Sequence, residues 1–273
     1  EGASWIFYSF FIFLFLKFLL PNSKIIYISH SIESEIRKKF SNTFIYLLTK
    51  YLERLMFKYV DISTSVSKYE KNKIKKIYNT STVLYPNAIN INYKNKKNKI
   101  KEDYIFYSGS YLYKPNKKAI DYLNSNVMPS LLKKYPKLKL VLTGGGFKKK
   151  YPWIINKKIV PKKDLYNLIY HSKLMCVPLK FGTGTRIKII EALSIGTIVL
   201  STSKGIEGIE LKRKKPPFIF NNSTKLLKLI TYVIKNNKKI KKTAIKNRYF
   251  YMKKYSMKSN TEEFLKKNSK IFF

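Results

Sequence analysis

A short loop, Gly182-Thr183-Gly184-Thr185, carries the residues of this sequence best suited to holding an anion. Glycines let the backbone approach a ligand closely, and the start of a helix offers unpaired amides to an anion. Arg186 and Lys188 follow the loop, where positive charge is unfavourable for a helix by itself. A bound oxyanion would remove that conflict. Glu191 comes one to two turns later, within reach of hydroxyl groups on a ligand that extends from the oxyanion.

An ordinary strand–helix turn with a solvated arginine and lysine is the alternative for the same loop. Short glycine motifs are weak signals of phosphate binding. The two best-known phosphate fingerprints do not fit, because no Gly-Lys-Ser/Thr follows the glycines and the spacing is not G-x-G-x-x-G. The loop residues alone therefore leave an anion site and a plain turn equally open.

The elements that position this loop follow from hydrophobic periodicity. The predicted strands are 24–29, 60–64, 82–85, 104–108, 138–143, 174–178 and 198–201, and the predicted helices are 33–59, 68–78, 116–134, 165–171 and 186–195. Ser67 and Asp164 are the expected N-caps of two helices. Strands that alternate with helices predict an α/β fold with parallel sheets covered on both faces. Ligands of such sheets bind at the carboxyl ends of strands, which includes the loops at His30, Gly109 and Gly182.

A change of composition divides the chain. Residues 91–103 are rich in Asn and Lys with little apolar content, which indicates a solvated linker. We therefore predict one α/β domain over residues 1–92 and a second over 93–242. The remainder, 243–273, is basic and helical with a break near Tyr255-Ser256, and it is expected to pack back toward the first domain.

The composition limits the classes of function. The 273 residues carry a net charge of +41, but lysine is spread through nearly every segment and arginine is scarce. Drift in an AT-biased coding sequence and an anionic partner are both compatible with this charge. A membrane phospholipid fits better than nucleic acid, because no basic run is interleaved with an aromatic motif of RNP type. The single cysteine, Cys176, excludes a disulfide framework and reads as a buried thiol, and two histidines argue against a multi-histidine metal site.

The segment 5–20 is almost wholly apolar and is interrupted only by Lys17. Its 16 residues fall short of the roughly 20 that span a bilayer. The favoured interpretation is a buried or membrane-facing helix of a globular domain, and a membrane anchor is the alternative.

A longer pattern extends the loop in both directions, from Pro178 to Gly208, and resembles the donor-binding segment of family 4 glycosyltransferases. The match is to the branch of that family that carries Gly-Thr-Arg. Weaker similarity covers most of the remaining chain, at Tyr107–Tyr111, Leu142–Gly144, Tyr85–Ile89, and His30 with Glu33. The resemblance implies the GT-B fold, which consists of two facing Rossmann-like domains.

The resemblance also implies residue roles. Arg186 and Lys188 would bind the diphosphate of a nucleotide sugar together with the amides of Gly182, Thr183, Gly184 and Thr185. Glu191 would bind the ribose, His30 would lie near the transferred sugar, and Gly109 would lie close to the donor. Glu33 and Glu53 read from their helical context as surface or structural groups rather than catalytic ones. Asn87 and Asn116 follow prolines and read as turn formers.

The implied reaction moves a sugar from a nucleotide diphosphate to an acceptor hydroxyl with retention at the anomeric carbon, and it needs no metal and no cofactor beyond the nucleotide-sugar co-substrate. The implied acceptor is a glycan or a lipid-linked molecule in surface polysaccharide or lipopolysaccharide synthesis. We expect a cytoplasmic protein, peripheral at the inner face of the membrane. The alternative function is a basic nucleic-acid- or membrane-binding protein on a degenerate Rossmann-like scaffold.

Two features depart from the family pattern. Many relatives carry two glutamates eight positions apart, and the earlier one falls on Thr183 here. The family's first domain also begins with a strand and a glycine-rich loop that have no counterpart in this sequence. We therefore expect the first domain to be incomplete and the chain to be N-terminally truncated, lacking acceptor-side residues and inactive alone.

Overall fold

The computed structural model describes residues 5–91, 93, 100–212 and 216–269. Two separate sheets, both parallel, are joined by helices in an α/β arrangement. This confirms the predicted fold class of two Rossmann-like domains, the first with the smaller sheet. The predicted linker 91–103 lies partly outside the described residues, since 92 and 94–99 are among those not described.

The first domain contains three short strands and four helices within the described residues. In chain order these are α1 Trp5–Leu19, β1 Ile26–Tyr27, α2 Glu33–Phe40, α3 Thr43–Tyr59, β2 Ile62–Ser65, α4 Lys68–Tyr78 and β3 Val83–Leu84. The strand order is β1-β2-β3. Ile26 lies opposite Ile62, and Thr64 lies opposite Val83.

The helix predicted over 33–59 is wrong in one respect, because the structure divides it into α2 and α3. Asn42 begins the second helix, with its side-chain oxygen accepting from the Ile45 amide at 2.8 Å. Apolar periodicity continues on either side of this cap, which is why the break is hidden in the pattern. The cap predicted at Ser67 is confirmed, since its hydroxyl accepts from the Glu70 amide at 3.1 Å.

Helix α1 is half buried. Ile6 and Phe13 pack against α3, where Leu52 and Met56 belong to the same apolar cluster. The opposite face is exposed and apolar over Tyr8, Phe11, Ile12, Phe15, Phe18 and Leu19. Among the helices over residues 5–91, 100–212 and 216–269, none has both the length and the hydropathy of a membrane span.

The second domain is built on a six-stranded sheet with the order β6-β5-β4-β7-β8-β9. Its strands are β4 Tyr104–Ser108, β5 Lys139–Thr143, β6 Ile154–Asn156, β7 Leu174–Val177, β8 Val199–Thr202 and β9 Phe218–Phe220. Its helices are α5 Lys114–Tyr122, α6 Met128–Leu132, α7 Lys162–His171, α8 Ile187–Ile195 and α9 Ser223–Lys235. Strands buried on both faces need nearly continuous apolar runs, which β4 and β7 supply. Cys176 in β7 is fully buried, so the predicted buried thiol is confirmed.

Two predictions for this domain need correction, and two strands were missed. The helix predicted over 116–134 begins at Lys114, and a π-helical turn, Leu123–Val127, separates α5 from α6. Asp164 is not a cap, because α7 begins two residues earlier, directly after Pro161. Strands β6 and β9, each of three residues, were not predicted.

The described part of the chain ends in two helices, α10 Asn237–Lys254 and α11 Met257–Lys267, and the predicted break near Tyr255-Ser256 is present. Helix α10 packs on α8 and runs through the position where we placed the end of the second domain, so the boundaries remain predictions. The tail contacts the end of the first domain. The Ile89 amide donates to the Tyr255 carbonyl at 2.7 Å, and the Tyr85 and Phe264 rings lie 5.0 Å apart.

Candidate functional site

The glycine–threonine loop after β7 lies against the first domain. Gly184 has φ +75°, and a Cβ added there would lie 2.8 Å from the carbonyl oxygen of His30. A larger residue would therefore clash with the backbone of the opposite domain. The structure brings together the carboxyl ends of β1 and β7, as expected for ligand sites of parallel sheets. We call residues Gly182–Thr185 the glycine–threonine loop.

His30 reaches this loop through one bridging side chain. Asn87 donates from Nδ2 to the Thr185 hydroxyl at 2.6 Å, and its Oδ1 lies 3.2 Å from His30 Nδ1. The interpretation of Asn87 as a turn former alone was therefore incomplete. Its amide side chain joins the two domains at the point where both reach the cleft.

The segment that carries His30 is held by a buried carboxylate. Glu53 is fully buried and accepts from the amides of Glu33 and Ser34 at 2.6 and 3.0 Å, at the start of α2. The Tyr78 hydroxyl also donates to Glu53 at 2.6 Å. A carboxylate is favourable at a helix N-terminus because it accepts from unpaired amides. This confirms the structural role predicted for Glu53.

Arg186 lies folded over the glycine–threonine loop. Arg186 is the residue immediately before α8, and its backbone is extended. The helix therefore begins one residue later than predicted. Its Nη1 donates to the carbonyl of Thr183 at 2.7 Å and also to that of Gly184. The side chain is buried, yet its Nη2 has no hydrogen-bond partner. That atom lies 3.1 Å from the position of a Cβ on Gly182.

Lys188 joins the loop to the first strand of the second domain. Its Nζ donates to Asn116 Oδ1 at 2.9 Å and lies 4.5 Å from the centre of the Tyr107 ring. A Cβ on Gly109 would lie 2.7 Å from the same Nζ, so the ammonium group packs directly against that glycine. Burial and, after it, the nearby Arg186 charge lower the pKa of Lys188 to about 7. An anion at this point would offset both effects.

Glu191 is buried in α8 but has different neighbours from Lys188. The hydroxyl of Tyr166, on α7, donates to Glu191 Oε1 at 3.2 Å. Burial raises the pKa of this carboxyl group. The two cationic side chains and Gly109 thus lie together, while Glu191 bonds toward the neighbouring helix. Thr183, also a predicted binding residue, has a buried hydroxyl without a partner.

Three residues of this region were missed by sequence reasoning. Glu70 accepts from the Gly184 amide at 2.9 Å, Asn87 bonds to Thr185, and Asn116 bonds to Lys188. The only signal at Glu70 is its position three residues after Ser67, which reads as a local capping box. The prolines before Asn87 and Asn116 favoured turns. None of these local signals indicates a contact between distant segments.

The arrangement is suited to binding an anion. It combines a partnerless guanidinium nitrogen, a lysine with a lowered pKa and the N-terminus of a nine-residue helix. Throughout the part of the chain that the structure describes, no three His, Cys, Asp or Glu side chains lie close enough to hold a metal ion.

Comparison with known sequences finds a family match within the second domain. Residues 102–236 match the family described as glycosyl transferases group 1. No curated protein matches the chain significantly.

Comparison with solved structures covers nearly the whole chain. Sucrose-phosphate synthase from Thermosynechococcus elongatus superposes with a TM-score of 0.78 at 13% identity, over 97% of this chain and 71% of that one. Anabaena HepE in complex with UDP-glucose superposes with a TM-score of 0.72 at 12% identity, over 96% of this chain and 76% of that one. A variant of S. aureus TarM with fondaparinux, α-GlcNAc-glycerol and UDP gives 0.71 at 14% identity, over 92% of this chain and 52% of that one. Residues 102–236 are therefore similar to group 1 glycosyl transferases, and the chain has the GT-B fold.

Proposed function

We propose that this chain transfers a sugar from a nucleotide diphosphate to an acceptor hydroxyl, and that Arg186 and Lys188 bind the diphosphate. The observation that carries the proposal is the Nη2 atom of Arg186, which is buried without a partner beside the glycine–threonine loop. A buried charged donor that lacks an acceptor is costly unless a ligand supplies one. A diphosphate oxygen would supply it.

Departure of the diphosphate is the step that the site would assist. Negative charge grows on the leaving oxygen as the glycosidic bond breaks, and preorganised positive groups stabilise it. Arg186, Lys188 and the first amides of α8 provide such groups from the protein itself. We propose departure without a metal and retention at the anomeric carbon, in the Gly-Thr-Arg branch of family 4.

The remaining residue roles are proposals of the same kind. Glu191, buried one turn beyond Lys188, would accept from the ribose hydroxyls. His30 would lie beside the transferred sugar, because its segment abuts Gly184 across the cleft. Gly109 would lie close to the donor, because a Cβ built on it would lie 2.7 Å from the Nζ of Lys188, which we propose binds the diphosphate.

The acceptor and the place of action are proposed by analogy and charge. HepE binds UDP-glucose, and the TarM structure contains UDP and glycans. We propose a uridine-type nucleotide sugar as the donor to test first, with a glycan or lipid-linked acceptor in surface polysaccharide synthesis. A net charge of +41 and the exposed apolar face of α1 support peripheral binding to an anionic membrane on the cytoplasmic side.

The test compares UDP binding by the parent chain and an Arg186→Ala/Lys188→Ala variant, measured by calorimetry. We expect binding to weaken by at least about 100-fold, as for the loss of two charge-assisted contacts. The matched control, Lys242→Ala/Lys246→Ala, removes the same charge from α10 and should bind UDP as the parent does. Equal affinity in all three proteins would contradict the proposed site.

A salt titration addresses the alternative of a basic nucleic-acid-binding protein. Binding to the nucleotide should persist when salt is raised from about 50 to 200 mM, whereas affinity for duplex DNA held by phosphate contacts should fall steeply. Salt-labile DNA binding without any nucleotide binding would favour the alternative.

A further inference from the structure

Glu70 connects the first domain to the centre of the glycine–threonine loop. Its carboxylate oxygen Oε1 accepts from the Gly184 amide at 2.9 Å, although the two residues lie 114 positions apart in the chain. The Glu70 side chain is buried, with 5% exposure. Ser67 and Glu70 have the spacing of a capping box, in which the glutamate normally returns to the amide of the capping serine. Here this carboxylate bonds to the opposite domain.

The surroundings of Glu70 are those of an anion site. Arg186 is close enough to stabilise the carboxylate, and Lys73 adds a weaker attraction, while Glu207 repels it. Burial has the largest effect on the pKa of Glu70. Together with the neighbouring charges and hydrogen bond, it raises that pKa to about 7. A carboxylate that accepts from a loop amide beside a buried guanidinium has the contacts expected of a phosphate oxygen at the same point.

We propose that the Glu70 carboxylate and a phosphate oxygen of the donor exchange on the Gly184 amide, so that Glu70 is a positioning residue displaced when the donor binds. The inference rests on the proposed function. One N–H group cannot bond fully to two acceptors, and two anions at one buried amide repel each other strongly. Donor binding therefore breaks a hydrogen bond between the two domains. It couples occupancy of the loop to the loss of this one contact between the domains.

The alternative role for Glu70 is structural: its hydrogen bond would hold the loop in the conformation that binds the donor. We call this alternative a brace. A brace and an exchanging anion predict opposite changes in affinity. Removing a brace weakens donor binding, because the loop must then be ordered by the ligand. Removing an exchanging anion strengthens binding, because the ligand no longer has to break the Glu70 contact or approach its charge.

The experiment measures binding of UDP and of inorganic pyrophosphate to the full chain and to Glu70→Gln and Glu70→Ala. Pyrophosphate makes the result independent of the nucleotide base. Glu70→Gln keeps the size of the side chain and a neutral acceptor for Gly184. We expect both variants to bind both probes about tenfold more tightly than the parent. The control, Glu262→Gln, removes an exposed carboxylate on α11 and should leave affinity unchanged.

Thermal unfolding without ligand provides the second readout. Loss of the Glu70–Gly184 bond should lower the melting temperature of Glu70→Ala even as its affinity for UDP rises, a combination that a structural brace does not produce. Unchanged or weaker binding in Glu70→Gln would overturn the exchange while leaving the proposed function intact. Failure of the parent chain to bind either probe would instead overturn the proposed function itself.

Discussion

The two domains differ in how much core supports the residues they bring to the cleft. The second domain has six strands and one continuous apolar cluster that also takes in α10. Within the described residues, the first domain has three strands of two to four residues, and most of its buried apolar residues fall into two small clusters. Strand β2 buries Ser63, Thr64 and Ser65 beside a single large side chain, Ile62. The half that holds the glycine–threonine loop is therefore the half with the larger core.

The first domain contributes mainly polar contacts to the site rather than a large apolar core. His30 and Asn87 reach the glycine–threonine loop or its bridging residue from connections, and Glu70 reaches it from the first turn of α4. Their placement depends on capping interactions such as those of Glu53 and Ser67. We infer that the second domain sets the stability of the site, whereas the first domain sets the environment of the loop.

Truncation in the larger core should have the greatest effect on folding. Phe106 is fully buried in β4, so Phe106→Ala should lower the free energy of unfolding by about 3–5 kcal/mol through lost burial and a cavity. The comparison variant is Phe11→Ala on α1, where the ring is 67% exposed and the expected change is within about 0.5 kcal/mol. Urea unfolding followed by circular dichroism measures both. A large loss in Phe11→Ala would show that the exposed face of α1 is covered in solution.

The contact between the domains can be tested at Gly184 with a second glycine as the control. Gly184 and Gly145 share φ +75°, so alanine costs each about 1–2 kcal/mol of backbone strain. Only at Gly184 does the new Cβ also meet backbone, 2.8 Å from the His30 oxygen, whereas at Gly145 the nearest atom is 3.4 Å away. Gly184→Ala should therefore lose more stability in urea unfolding. Equal losses would mean that the domains do not meet at this loop.

Much of the fold follows from local sequence rules. The strand predicted over 104–108 matches β4 at both ends, and the cap at Ser67 is present. Alternation of strands and helices correctly predicted parallel sheets, because helical crossovers favour that arrangement. The break at Asn42 was missed. The apolar repeat continues on both sides of Asn42, and one asparagine is weak evidence that a helix ends there.

The contacts within the site were predicted less well than the fold. Arg186, Lys188 and the glycine–threonine loop lie close in sequence, so the spacing itself placed them together. Glu70 and Asn87 bond to the loop across 114 and 98 positions. Their local sequence already has a sufficient explanation in a capping box and a proline turn. Long-range polar contacts depend on how two domains meet, which no periodicity within one segment encodes.

A double-mutant cycle measures the bridge between Asn87 and Thr185. Asn87→Ala removes the bridging amide, and Thr185→Val removes the hydroxyl that accepts its bond at 2.6 Å. We expect a coupling free energy of about 0.5–1.5 kcal/mol in urea unfolding, as for one neutral hydrogen bond. The cycle Asn124→Ala with Tyr93→Phe, two residues not bonded to each other, should give additive effects. Additivity in the Asn87 cycle as well would mean that the bridge contributes nothing in solution.

The last comparison concerns the proton bound by Lys188. Its pKa of about 7 in the folded protein lies below the value near 10.4 of an unfolded chain. The unfolded state therefore binds more protons between these values, and the Lys188 contribution makes stability rise as pH increases from about 7 to 10. In Lys188→Met, the free energy of unfolding should rise less with pH between about 7 and 10. Urea unfolding at several pH values measures this difference.

Nucleotide binding should reverse the shift at Lys188. At pH 8 the free protein holds this amine mostly neutral, and a bound diphosphate would favour its charged form, so binding takes up close to one proton. Calorimetry of UDP binding in buffers of different ionisation enthalpy measures that uptake. The parent should take up more protons on binding UDP than Lys188→Met does. The control, Lys242→Met, should take up as many protons as the parent. Because Glu70 is present in all three proteins, its own titration cancels in the comparison. Equal uptake by the parent and Lys188→Met would mean that the diphosphate does not lie beside Lys188, and the cationic half of the site would have to be assigned to Arg186 alone.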